Sequence, residues 1–144
     1  TGVVAAMGSG ATIINMSLGS EGQGGNLMQD IVASGRELGV VFVGAAGNEP
    51  VTTPNYPAAF SDVLAVTSVE SNGQIASYAN RGEFIDVGLP GSINFAHDDA
   101  VYHSRGTSMA AGVASGLAAK LAESRGIPVT EAEQAVKDSF RIER

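Results

Sequence analysis

Two apolar runs decide the fold: TIINMSL at residues 12–18 and VVFVGA at residues 40–45. Each is short, rich in β-branched side chains and bounded by glycine. Near-continuous runs of this kind read as strands buried on both faces. Between them, Leu27 to Leu38 repeats Met28, Ile31 and Val32 at helical spacing, with Gly35 and Leu38 following on nearly the same face. Asn26 is placed to cap that helix and Gly39 to stop it. A strand, helix and strand of this length imply a right-handed crossover and a parallel pair. VLAVTSV at 63–69 supplies a third strand.

Working outward, Thr1 to Ser9 reads as a helix feeding the first strand. Asn48 to Phe60 reads as a loop, and Ser71 to Gly73 as a turn. A long helix starts near Ser108, with Ala110, Val113, Ala114, Leu117, Ala118 and Leu121 on one apolar face. Gly112, Gly116 and the alanines are expected to let it lie close to a sheet. A last helix starts at Thr130, where Thr130 and Glu133 are spaced as a capping box after Pro128. The class is α/β, a mostly parallel sheet flanked by helices. TIINMSL at an apolar, unpaired edge implies that sheet strands on the N-terminal side are missing from this chain. Thr1 is no initiator methionine, which implies a processed product or an excised piece.

Composition narrows the function. The chain has 144 residues, 44% hydrophobic and 16% charged, as expected of a globular domain. A net charge of −7 offers no basic stripe for nucleic acid. Without cysteine there is no disulfide, thiol catalysis or cysteine-ligated zinc. No apolar run approaches the roughly twenty residues of a membrane span. GSEGQGG at 19–25 precedes a helix but lacks the spacing and lysine of a phosphate loop.

Two short motifs carry chemistry. In GTSMA at 106–110, Ser108 stands at a helix start, where unpaired N–H groups and the dipole favour negative charge. In AAGN at 45–48, Asn48 follows a parallel strand at its carboxyl end, where open α/β sheets place ligands. Alone, Ser108 reads as a capping serine and Asn48 as a turn asparagine. Together, with INMSLG at 14–19 and DVGLPG at 86–91 in the same order, they resemble the subtilisin-like serine proteases over about residues 13–140. The resemblance implies the C-terminal portion of a three-layer subtilisin-like catalytic domain, a serine endopeptidase and an extracellular location. It implies Ser108 as nucleophile and Asn48, with the Ser108 N–H, as oxyanion donor. Ser17, Leu18 and Gly19 match the edge that pairs with an extended substrate. Ala45, Ala46 and Gly47 match one wall of the pocket for the residue before the scissile bond, and Asn55 its base. Glu49 falls at the rim, where a solvated carboxylate is the simpler reading.

The chain also departs from the family. The triad order is Asp, His, Ser, so the Asp and His belong upstream of residue 14, outside this chain. A second polypeptide carrying them is the implied partner, and the chain alone is expected to be inactive or nearly so. The two histidines, His97 and His103, fall in FAHDDAVYHSR, read as an exposed loop. Gly112 and Val113 replace the family's usual proline and histidine, the mark of a divergent branch. No cofactor is required by this chemistry. Family members often bind calcium, but Asp98 and Asp99 are two carboxylates where six or more oxygens are needed, and no metal ligand is assigned. The alternative function is a non-catalytic subtilase-like module that binds peptides or assembles with a partner.

Overall fold

The computed structural model describes residues 2–22 and 26–142. Three positions of the glycine-rich stretch at 19–25, residues 23–25, lie outside them. In chain order the elements are α1 (Gly2–Gly8), β1 (Ile13–Met16), α2 (Asn26–Glu37), β2 (Val41–Ala45), β3 (Val63–Val69), β4 (Val87–Pro90), β5 (Ser92–His97), β6 (Ala100–Arg105), α3 (Thr107–Arg125) and α4 (Val129–Phe140). The first four strands form a parallel sheet in the order β1-β2-β3-β4, with Ile13 opposite Val41, Phe42 opposite Val63 and Val66 opposite Val87.

Strand alternation explains why these runs are apolar throughout. Val41, Val43 and Ala45 point to one side with Leu64, Val66, Val87 and Leu89, where Ala110, Ala111, Ala114 and Ala118 of α3 and Val136 of α4 cover them. Val40 and Phe42 point to the other side with Ile14, Met16 and Val63, beneath Val32 of α2 and, partly buried, Val3 and Met7 of α1. Helices on both faces of one parallel sheet make a three-layer α/β fold.

Several local expectations are corrected. Asn26 is the first helical residue of α2, and Leu38 is 76% exposed, away from the face that buries Val32 and Gly35. Gly39 does end the helix, at φ 82°, donating its N–H to the Arg36 carbonyl at 2.9 Å. On α3 the close approach comes from alanine alone: Gly112 and Gly116 are exposed, and a Cβ on either would meet nothing within 4 Å. The capping box of α4 does not form. Its N-cap is Pro128, with no side-chain cap bond. Glu133 turns inward instead, 3% exposed, and its Oε2 accepts from Arg36 of α2 at 2.7 Å while Lys137 Nζ stands 3.8 Å from Oε1. A buried carboxylate takes a cationic partner over a solvent-facing cap because leaving it unpaired is the costlier state.

The stretch FAHDDAVYHSR is an antiparallel hairpin of β5 and β6 rather than a loop, with Phe95 opposite Tyr102 and His97 opposite Ala100. Asp98 (φ 47°) and Asp99 (φ 60°) are its two connecting residues, the left-handed pair of a type I′ turn. Both carboxylates serve a tight exposed turn. Among the described residues no three His, Asp, Glu or Cys side chains gather as a metal-ligand set.

Candidate active site

The parallel sheet ends β1 and β2 on the same side, and both chains then run into loops: Ser17 to Glu21 and Ala46 to Val51. The N-terminus of α3 arrives between them. The cleft so formed, about 610 Å³, is lined by Ser17, Leu18, Gly19, Ala45, Gly47, Asn48, Asn55 and Ser108, among others. Of the residues expected there, only Ala46 is elsewhere. It is fully buried behind the wall, with its N–H bonded to the Val66 carbonyl at 2.9 Å, because strand alternation turns it away from its neighbours.

The two motifs grip each other. The Gly47 N–H donates to Thr107 Oγ1 at 3.1 Å, and the Thr107 N–H donates to Asn48 Oδ1 at 2.9 Å. Thr107 is fully buried. With Asn48 Oδ1 occupied, its Nδ2 is left as the donor, and it makes no hydrogen bond among the described residues. Gly106, at φ 156° and ψ 161°, turns the chain from β6 into α3 in a region that only glycine enters readily. A Cβ there would lie 3.5 Å from Asn48 Nδ2.

On the other wall, Ser17 Oγ donates to the Ser108 carbonyl at 3.1 Å, and Asn15 Nδ2 donates to Ser17 Oγ at 2.9 Å. The Ser108 hydroxyl reaches only the Ser17 carbonyl, at a long 3.5 Å. Ser108 is half-buried and Leu18 is 62% exposed. Ser20 pairs with Tyr56 as an antiparallel bridge, through N–H to carbonyl bonds of 2.9 and 2.8 Å. Asn55 sits at the slot between the walls: Nδ2 donates to the Ala45 carbonyl at 3.4 Å, and its carboxamide packs against the Cα of Gly19. Glu21 and Glu49 are the two charged side chains in the lining.

Neither histidine lines this cleft. His103 Nδ1 pairs with Asn94 Oδ1 at 2.9 Å and its Nε2 with Ser92 Oγ at 3.3 Å, which holds the ring on the hairpin. His97 pairs with Asp98 at 3.3 Å. Two further cleft residues, Thr107 and Asn80, have no motif signal of their own. Thr107 is legible only as the residue before the serine, and Asn80 only as a buried polar side chain once the fold is known.

A three-layer parallel sheet, with a serine-headed helix docked on an asparagine at the neighbouring strand end, has the architecture of the subtilisin-like proteases. The family model described as "Subtilase family" matches residues 1–139, and the chain belongs to that family. It is 40% identical over 120 residues to the thermostable alkaline protease of Halalkalibacterium halodurans, covering 82% of this chain and 33% of that protein. It is 36% identical over 140 residues to thermitase of Thermoactinomyces vulgaris, covering 96% of this chain and 50% of that protein. Among solved structures, the prenylagaramide maturation protease PagA superposes with a TM-score of 0.80 at 28% identity, over 95% of this chain and 53% of that one. The chain thus spans half or less of the curated relatives named here. No described helix is long and apolar enough to cross a membrane.

Proposed function

We propose that these residues are the nucleophile-bearing part of a serine endopeptidase whose triad Asp and His lie outside them. The observation that carries this reading is the reciprocal pair of bonds joining Gly47-Asn48 to Thr107, which sets a carboxamide donor beside the serine at a helix start. In the assembled site Ser108 Oγ attacks the peptide carbonyl carbon while the supplied histidine takes its proton. Asn48 Nδ2 and the Ser108 N–H hold the oxyanion. The C–N bond then breaks, the histidine returns the proton to the leaving amine, and water releases the acyl group by the same route. No step needs a metal or organic cofactor. The substrate is an extended peptide lying along Ser17, Leu18 and Gly19 as an added strand, with one side chain entering between those residues and the wall of Ala45 and Gly47.

The second polypeptide, or segment, that brings the Asp and His would stack against β1, one of the two edge strands of the described sheet. Secretion fits the reading through the likeness to an extracellular relative, the minor extracellular protease Epr of Bacillus subtilis. Adding the N-terminal portion of a subtilase domain should restore hydrolysis of a peptide ester, and Ser108→Ala should abolish it. Unchanged hydrolysis by the Ser108→Ala assembly would overturn the proposal. The second reading, a non-catalytic peptide-binding or assembly module, is favoured by one observation: neither histidine lines the cleft, while Leu18 stands exposed beside it.

A further inference from the structure

Asn80 is 4% exposed, one of the few buried polar side chains of the molecule, and it belongs to neither motif. It touches the residues on both sides of Asn48. Its Oδ1 accepts the Glu49 N–H at 2.8 Å, and its own backbone N–H donates to the Gly47 carbonyl at 2.9 Å. Its carboxamide nitrogen packs on the Cα of Gly47 so closely that a Cβ there would lie 2.5 Å away. Gly47 can accept that contact because it has no side chain and sits at φ 110°. Asn80 is itself held from behind, where the fully buried Thr67 Oγ1 donates to its carbonyl at 2.6 Å. The peptide units flanking Asn48 are thereby tied to β3, in the middle of the sheet.

We propose that Asn80 is the positioning residue of the oxyanion donor: it fixes the backbone on both sides of Asn48, so that the carboxamide is aimed before substrate arrives. The inference rests on the proposed role of Asn48. Its physical basis is that an oxyanion donor helps the transition state only if it needs no reorganisation when charge develops. Without Asn80 the Glu49 N–H loses its acceptor and the Gly47 backbone loses its packing. Residues 47–49 can then sample other orientations while the Thr107 bond still tethers Asn48 Oδ1. Asn80 touches no reacting atom, so its loss should lower kcat and leave KM little changed.

The test is a double-mutant cycle in the assembly of this chain with a subtilase N-terminal portion. Losing one oxyanion donor lowers kcat by about 10²–10³-fold, a scale measured in a subtilisin. Asn80→Ala should lower kcat by about 10-fold or more in the otherwise native assembly, and by less than about 2-fold when Asn48→Ala is already present. Thr67→Val, which keeps volume and removes only the hydroxyl, should show a smaller loss with the same dependence on Asn48. It also serves if Asn80→Ala fails to fold. Equal losses in both backgrounds, or a rise in KM with kcat unchanged, would overturn the positioning role. If Asn48→Ala alone leaves kcat unchanged, the oxyanion reading falls instead, and the two failures stay distinct.

Discussion

Replacing Thr107 by valine tests the junction between the two motifs. The substitution keeps shape and volume at a fully buried position and deletes one atom's function, the acceptor for the Gly47 N–H at 3.1 Å. A donor left without a partner costs about 1–3 kcal/mol when buried. Gly47 is only half-buried, which puts the cost near the lower end, about 1–2 kcal/mol. A methyl in place of the hydroxyl returns up to about 0.8 kcal/mol of apolar burial. The net loss is then about 1 kcal/mol. With a urea slope of roughly 2 kcal/mol/M for a chain of this size, the unfolding midpoint should fall by about 0.5 M. Thr107→Ser keeps the hydroxyl and loses the methyl, so it should also destabilise, through the cavity rather than the hydrogen bond. In the assembled enzyme the two differ: the serine variant keeps the Gly47 anchor and most of kcat, and the valine variant does not. Equilibrium urea unfolding followed by circular dichroism, with ester hydrolysis on the same samples, reads both. A valine variant as stable and as active as the parent would refute the idea that this bond holds the site together.

Arg36→Leu should destabilise the fold by about 1–3 kcal/mol, because Glu133 stays buried with only Lys137 nearby; the Arg36→Leu/Glu133→Leu pair should recover part of that loss in the same urea titration. Gly106→Ala should cost about 1–3 kcal/mol from its φ of 156°, visible as a lower thermal midpoint; the added Cβ would meet Asn48 Nδ2 only at an ordinary 3.5 Å contact, so the cost is one of backbone strain. His103→Ala should leave kcat of the assembled enzyme within about 2-fold, since its ring is committed to Asn94 and Ser92; a loss of the 10²-fold order or more, expected for a general base, would place His103 in the reaction.

The parts legible in the sequence are those whose signal is local. Val63 to Val69 forms a strand over its full predicted length because both of its faces are buried, and so all its positions are constrained. Ser108 stands at the start of α3 just after Gly106, and Asn48 follows Gly47 beyond the end of β2, so each position is marked locally by a glycine. What the sequence hid depends on partners far along the chain. Glu133 had the spacing of a cap, but Arg36, 97 residues away, offered the stronger bond. Asn80 looks like any loop asparagine until Thr67 and Glu49 are folded against it from opposite sides. The hairpin at 92–105 escaped because its strands are mostly exposed, so no burial imposes an alternating pattern. Its two-residue turn is Asp-Asp rather than a glycine-containing pair.

The central claim is that Ser108 becomes a nucleophile only when a histidine from outside these residues reaches it. A fluorophosphonate probe, followed by mass mapping of the labelled peptide, measures this directly. The account predicts label on Ser108 in the assembly with a subtilase N-terminal portion, little or none on the chain alone, and none on Ser108→Ala. Peptide binding by the assembly without any label on Ser108, or equal labelling with and without the second polypeptide, would contradict it.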